Sequence, residues 1–282
     1  MNHLLSFRLY PLSFRLGVKV KIARLGLISA LLLNAFLALS CASTQEVVLD
    51  DEELYVLANK KLEMSRASGP IRAVARPKKQ KQAVELLNQL LESYPESSHA
   101  KEVQMTLADL WFDDEKYDEA EAEYTAFLRL YPSSAEAERA QFRLLLTHER
   151  QIGTFDRDQS STHKTLDVCE EYGKRHPEGE FTPNIAAIER ESQGTLAEHE
   201  FYVGRLYYRR HEYAAATTRL EGVLSDYPDS EAACKALFYL AKLDAKLERP
   251  ADAIEKLKRL IEEYPGCHST DEARSLLEAL KQ

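Results

Sequence analysis

Leu107–Pro132 reads LADLWFDDEKYDEAEAEYTAFLRLYP, and its second half carries the pattern that decides the fold. Counting back from Pro132, Ala120, Tyr124 and Phe127 stand twelve, eight and five residues earlier. Offsets of 0, +4 and +7 share one face of a helix. The same count from Pro95 meets Ala83, Leu87 and Leu90, and from Pro177 it meets Thr165, Cys169 and Tyr172. From Pro228 it meets Ala216, Leu220 and Val223, and from Pro265 Ala253, Leu257 and Leu260. A Tyr or His precedes every one of these prolines. Each unit thus has a small residue that admits a neighbouring helix, two larger residues that pack on it, and a proline that stops the chain from continuing as helix. The expectation is an all-α repeat protein, a scaffold rather than a catalyst.

A partner helix precedes each of these. In three units a small residue lies 24 before the proline: Ala108, Gly204 and Ala241. Small residue on helix A, alanine on helix B and a closing proline resemble the tetratricopeptide (TPR) consensus. The expected fold is therefore a TPR-like α-solenoid of five helix-pair repeats, with a capping helix near Asp271–Leu280 covering the last repeat. A first helix is expected from Asp50, with acidic residues at its positive end. Ser-Gly-Pro at 68–70 and Arg76-Pro77 suggest an insertion over 67–79 between the two helices of repeat one. Serines, threonines or aspartates after most prolines are candidate caps for the next helix A. The prolines are spaced by 37, 45, 51 and 37 residues, so the middle of the array is irregular. A loop over Gly153–Thr162 and a long helix starting at Thr182-Pro183 and reaching about Arg210 account for the excess.

Residues 1–40 hold five basic residues and no acid, then an apolar run from Leu25 to Leu39, which reads as a secretory signal. That run ends in Leu37-Ala38-Leu39-Ser40-Cys41, which resembles the lipobox of bacterial lipoproteins, with Cys41 as the acylated residue. Ala42, rather than Asp, resembles the sorting rule for the outer membrane of Gram-negative bacteria. The domain reading is a lipoprotein signal peptide over 1–40, a lipidated tether over 41–49, repeats one and two over 50–132, and repeats three to five with the cap over 133–282. Without the five basic residues of the signal, 32 basic residues face 46 acidic ones, a net charge of −14. A nucleic-acid duplex is excluded as a partner on that balance. The basic stretch Arg72–Lys81 reads as a solvated loop.

Cys169 falls where the repeat wants an apolar packing residue, so a buried thiol is expected. A Cys234–Cys267 bridge is open to an oxidising compartment, yet spacing alone sets no distance and the expectation is against it.

No catalytic constellation is present. His199-Glu200 and His211-Glu212 begin an HExxH pattern, but Val203 and Ala215 stand where the second histidine is required. His148 and His163 have no carboxylate or cysteine at ligand spacing and read as solvent or capping residues. Neither catalytic residues, a metal site nor a cofactor is expected, other than covalent lipid on Cys41.

From Asp156 to Ala236 the chain goes beyond a generic TPR. Asp156-Arg157-Asp158-Gln159, Leu196-Ala197-Glu198-His199-Glu200 with Tyr202-Val203-Gly204, and Arg219-Leu220-Glu221 ahead of Tyr227-Pro228-Asp229 resemble the BamD family, also called competence lipoproteins of the ComL type. That resemblance implies a lipid-anchored subunit of the outer-membrane β-barrel assembly (BAM) machinery, facing the periplasm. It implies binding to the POTRA domains of a BamA-like barrel protein, to other BAM lipoproteins and to unfolded outer-membrane substrates. By position, Arg219 matches the family arginine that contacts BamA, and the loop at Asp156, Arg157 and Asp158 is implied in the same interface. Alternatively, Arg219 pairs with an acid on the surface and Asp158 caps a helix. Repeats one and two would receive substrate around Trp111 and Tyr124. The other readings are a different periplasmic TPR adaptor and a peptide-binding chaperone of the cell envelope.

Overall fold

The computed structural model describes residues 48–66 and 70–281. The signal segment and Cys41 lie outside the described residues. Those described fold into eleven α-helices in chain order. Repeat one is α1 (Asp51–Arg66) and α2 (Pro70–Ser93), and repeat two is α3 (Ala100–Asp113) and α4 (Tyr117–Leu130). Repeat three is α5 (Ala137–Glu149) and α6 (Ser160–Arg175), and repeat four is α7 (Thr182–Arg209) and α8 (Tyr213–Asp226). Repeat five, α9 (Glu231–Lys246) and α10 (Pro250–Glu263), is covered by α11 (Thr270–Leu280). Helices pack on their chain neighbours, as a solenoid of helix pairs requires.

The proline register holds at every unit. All fifteen residues at the three packing positions, from Ala83 to Leu260, are buried, with exposure between 0% and 4%. Cys169 is among them, and burial pushes its thiol up to about 12. Gly204 is a true close approach: a Cβ there would stand 2.8 Å from Leu220 Cδ2 and 2.9 Å from Leu220 Cγ. Ala108 and Ala241 occupy the equivalent place with no exposure.

The turn between helices A and B has one design in repeats two, four and five. Glu115, His211 and Glu248, each seventeen before its proline, sit in the left-handed region with φ of 60°, 63° and 57°. The following amide then bonds back five residues: Lys116 N to Trp111 O at 2.9 Å, Glu212 N to Tyr207 O at 3.0 Å, and Arg249 N to Asp244 O at 2.9 Å. These are Schellman closures, which usually take glycine at the left-handed position. Here an acid or a histidine stands in its place.

Five expectations are corrected. Residues 70–79 are not a loop insertion but the opening turns of α2, which continues through Pro77 to Ser93. Pro70 begins that helix, where its missing N–H costs nothing, and Pro77 gives up one backbone bond without ending it. The basic stretch Arg72–Lys81 is accordingly helical. Among the expected caps, only Ser230 bonds a helix start in the expected way, accepting from Ala233 N at 3.2 Å. Ser97 and Ser134 instead cap the turn before it, accepting from His99 N and Glu136 N. His148 is buried on α5, its Nδ1 3.6 Å from Glu121 Oε2, and burial lowers its pKa. Finally, Cys234 on α9 and Cys267 in the turn before α11 are disulfide-bonded, with Cα atoms 6.5 Å apart. Helix A of repeat five and the turn that closes the same repeat come within bridging distance through packing, which spacing could not reveal.

Candidate partner-binding site

Repeat three departs from the three-residue Schellman turn and spends ten residues, 150–159, between α5 and α6. Backbone carbonyls left without helix must find other partners. Gln159 supplies several: its buried side-chain amide donates to Thr154 O at 3.1 Å and Arg157 O at 3.0 Å, and its Oε1 accepts from Thr162 Oγ1 at 2.9 Å. Asp156 accepts from Thr154 Oγ1 at 2.5 Å, and Asp158 accepts from Ser160 N at 3.0 Å. Those bonds hold both carboxyls below the usual range, Asp156 through Thr154 and Asp158 through Ser160. Asp158 thus closes the turn that leads into α6, whose cap position is Gln159, with Ser160 to Thr162 in the first turn. Arg157 is exposed.

Helix α7 holds this loop in place. His199 Nδ1 donates to Phe155 O at 2.6 Å, since a carbonyl oxygen can only accept. The Phe155 ring, 40% exposed, lies 5.7 Å from Tyr202. The next residue along α7, Glu200, faces the other way in function: its Oε2 takes Arg219 Nη1 of α8 at 2.7 Å. Two neighbours on one helix therefore position the two features that sequence marked separately. Arg219 remains 48% exposed in that pair, so its guanidinium still has donors for a partner.

Between the loop, α7 and the turn joining repeats four and five lies a cleft of about 1000 Å³. Phe155 and Tyr227 give it apolar ends, and Glu189, Glu191, Asp226 and Asp229 charge its walls. Glu198 and Glu231, also lining it, are both bonded to Lys235, at 2.7 Å and 3.2 Å. Among the described residues no cluster of His, Cys, Asp or Glu is placed to hold a metal.

The expected substrate groove divides. Tyr124 cannot line a groove, because its ring has no exposure and its hydroxyl donates to Asp109 Oδ1 at 2.6 Å. Burial, then that carboxylate, raises the phenol's pKa. Arg143 Nε reaches both groups, at 3.1 Å and 3.2 Å, and Arg139 pairs with the other Asp109 oxygen. Trp111, one turn past the small residue of α3, does line a cleft, of about 750 Å³, between α2 and α3. Lys116 Nζ lies 4.5 Å above its ring.

His199, Glu200 and Phe155 were not legible as a site. The first two stood inside the quoted segment, but only as a failed metal motif and a family marker; Phe155 carried no signal. Their roles depend on which face of α7 meets the loop.

A family model described as YfiO, outer membrane lipoprotein, matches residues 72–251. The chain is 25% identical over 248 residues to the outer membrane protein assembly factor BamD of Neisseria meningitidis serogroup B, covering 81% of this chain and 88% of that one. It is 26% identical over 193 residues to BamD of Vibrio cholerae, covering 65% and 80%. Among solved structures, it is similar to a thermophilic TPR protein of Thermus thermophilus at 15% identity and a TM-score of 0.29, covering 79% of this chain and 98% of that one.

Proposed function

The chain belongs to the YfiO family of outer membrane lipoproteins, and from that premise we propose that it is a non-enzymatic scaffold for assembling β-barrel proteins in the outer membrane. It is anchored through lipid on Cys41, faces the periplasm of a Gram-negative cell, and binds a BamA-like protein through its POTRA domains. The observation that carries this reading is the arrangement on α7, where His199 fixes the loop of repeat three and Glu200 presents Arg219. A half-exposed arginine in a pair with one carboxylate can exchange that partner for another at little cost, since an exposed pair contributes only about 0–1 kcal/mol. Docking then adds the carboxylate of the partner without leaving a charge buried alone. Trp111 and its cleft between repeats one and two are where an unfolded substrate segment would lie.

The test is a mild-detergent pull-down from the native membrane. Recovery of a POTRA-containing barrel protein is expected, and Arg219→Glu should weaken that recovery about tenfold or more while leaving the fold intact. Undiminished recovery would remove Arg219 from the interface. For the anchor, Cys41→Ser should abolish palmitate labelling and free the chain from the membrane; continued labelling would overturn it. Among the described residues no helix is long and apolar enough to cross a membrane.

A further inference from the structure

In the C-terminal half, the first helices of repeats four and five and the capping helix border a groove of about 580 Å³. Lys242 and Lys246 stand one turn apart on α9 beside it. Lys242 Nζ lies 5.2 Å from the Phe238 ring and 5.0 Å from Tyr239, and Lys246 Nζ lies 5.8 Å from Tyr208 and 5.9 Å from Tyr213. Among the described residues neither ammonium is in an ion pair. Three other cations on α9, α10 and the turn between them are paired: Lys235 with Glu198 and Glu231, and Arg249 and Lys256 with Asp244 at 2.7 Å. Ring faces draw an ammonium in but accept no strong hydrogen bond, so its donors remain available. Phe238, Ala245 and Leu276 supply an apolar lining, and Asp271 and Glu272 charge the opposite side.

We propose that this groove binds an extended acidic segment of a partner protein that also carries aromatic side chains, with Lys242 and Lys246 taking its carboxylates and the apolar lining taking a ring. Helix-lined grooves take such segments by pairing apolar pockets with a few placed charges. A lipid phosphate fits less well, since the apolar lining would go unused. The proposal is independent of the surface around Arg219.

The test uses the full chain in detergent and a labelled short peptide alternating aspartate with phenylalanine, followed by fluorescence anisotropy. Binding is expected, weakening as salt rises, as for charge-steered contacts. Lys242→Glu with Lys246→Glu should reduce affinity at least about tenfold at unchanged thermal midpoint, and Lys→Arg at both positions should retain it. Should charge reversal unfold the chain, Lys242→Met with Lys246→Met keeps the stems and still predicts the loss. Arg219→Glu should leave peptide binding as it was. Equal binding of a twin peptide with lysine for aspartate overturns the proposal, as does unchanged affinity in the methionine pair. Displacement of the peptide by soluble short-chain phosphatidylglycerol, with that lipid's own binding lost in the same variants, overturns it in favour of a lipid headgroup.

Discussion

Repeats two and three share one core, yet they solve the passage from helix A to helix B in opposite ways. Repeat two turns in three residues with a left-handed Glu115. Repeat three takes ten, and its polar groups are satisfied by Gln159, Asp156 and Asp158 within the loop and by His199 outside it. The helix B that follows is the same in both: Ala120, Tyr124 and Phe127 against Thr165, Cys169 and Tyr172, all buried. Lengthening a loop costs little, about 0.6 kcal/mol per doubling. The packing register is therefore held at helix B, and the turn ahead of it is where a repeat can acquire a surface of its own.

The sharpest way to break the regular side of that contrast is at Gly204. Gly204→Leu places carbon into Leu220 and should cost about 3 kcal/mol by overpacking. Denaturant unfolding measures it, and an unchanged midpoint would mean that the crossing of α7 and α8 is not as described.

The irregular side has its own close approach at Gly179, in the turn from repeat three to four. There Tyr172 donates to Glu138 Oε1 at 2.6 Å and accepts from Phe181 N at 3.1 Å, while Glu180 N donates to the same carboxylate oxygen. A Cβ on Gly179 would land on the Tyr172 hydroxyl and the Glu138 carboxylate. Gly179→Ala should therefore lose about 2 kcal/mol. By contrast, Gly173→Ala and Gly222→Ala, in helices with open space around them, should gain about 0.5–1 kcal/mol.

Glu115→Gly or Glu248→Gly should stabilise by about 0.5–1 kcal/mol, because a side chain is strained at positive φ. The same change in the ten-residue loop, at Asp156, should not stabilise, and comparing the thermal midpoints separates the two turn designs. His199→Ala should move the midpoint by less than about 1 kcal/mol while amide exchange across 153–158 accelerates. Unaltered exchange would mean that the loop holds itself.

The smallest effect is in pH. The Tyr172 hydroxyl, chiefly, holds the Glu138 carboxyl below its ordinary value. A depressed carboxylate contributes stability that is full above its unfolded pKa and is lost as pH falls through the folded value. Wild type should thus lose slightly more stability than Tyr172→Phe below about pH 4, in paired acid titrations of unfolding.

Much of the fold was legible because helix B repeats its burial at fixed distance from a proline. The turns were less so: a Schellman closure is read from glycine, and Glu115, His211 and Glu248 carry no such mark. Pro77 misled in the opposite direction, since a proline within a helix resembles a break until the helix is seen to continue. Of the candidate site, Arg219 and the loop at Asp156 were identified by resemblance. Their supports, His199 and Glu200, and the burial of Tyr124 were not, for each depends on what packs against a helix face.

By itself, the sequence determined the helical class, the five-unit register and the identity of its buried faces, since these follow from periodicities within one helix and from where proline stops it. Only the tertiary structure decided that Cys234 meets Cys267, that Glu200 takes Arg219 and that Lys242 and Lys246 lie over rings without a carboxylate. Cys234 with Cys267, Glu200 with Arg219, and Lys246 with Tyr208 and Tyr213 join residues from different elements, and their distances are set by how those elements pack.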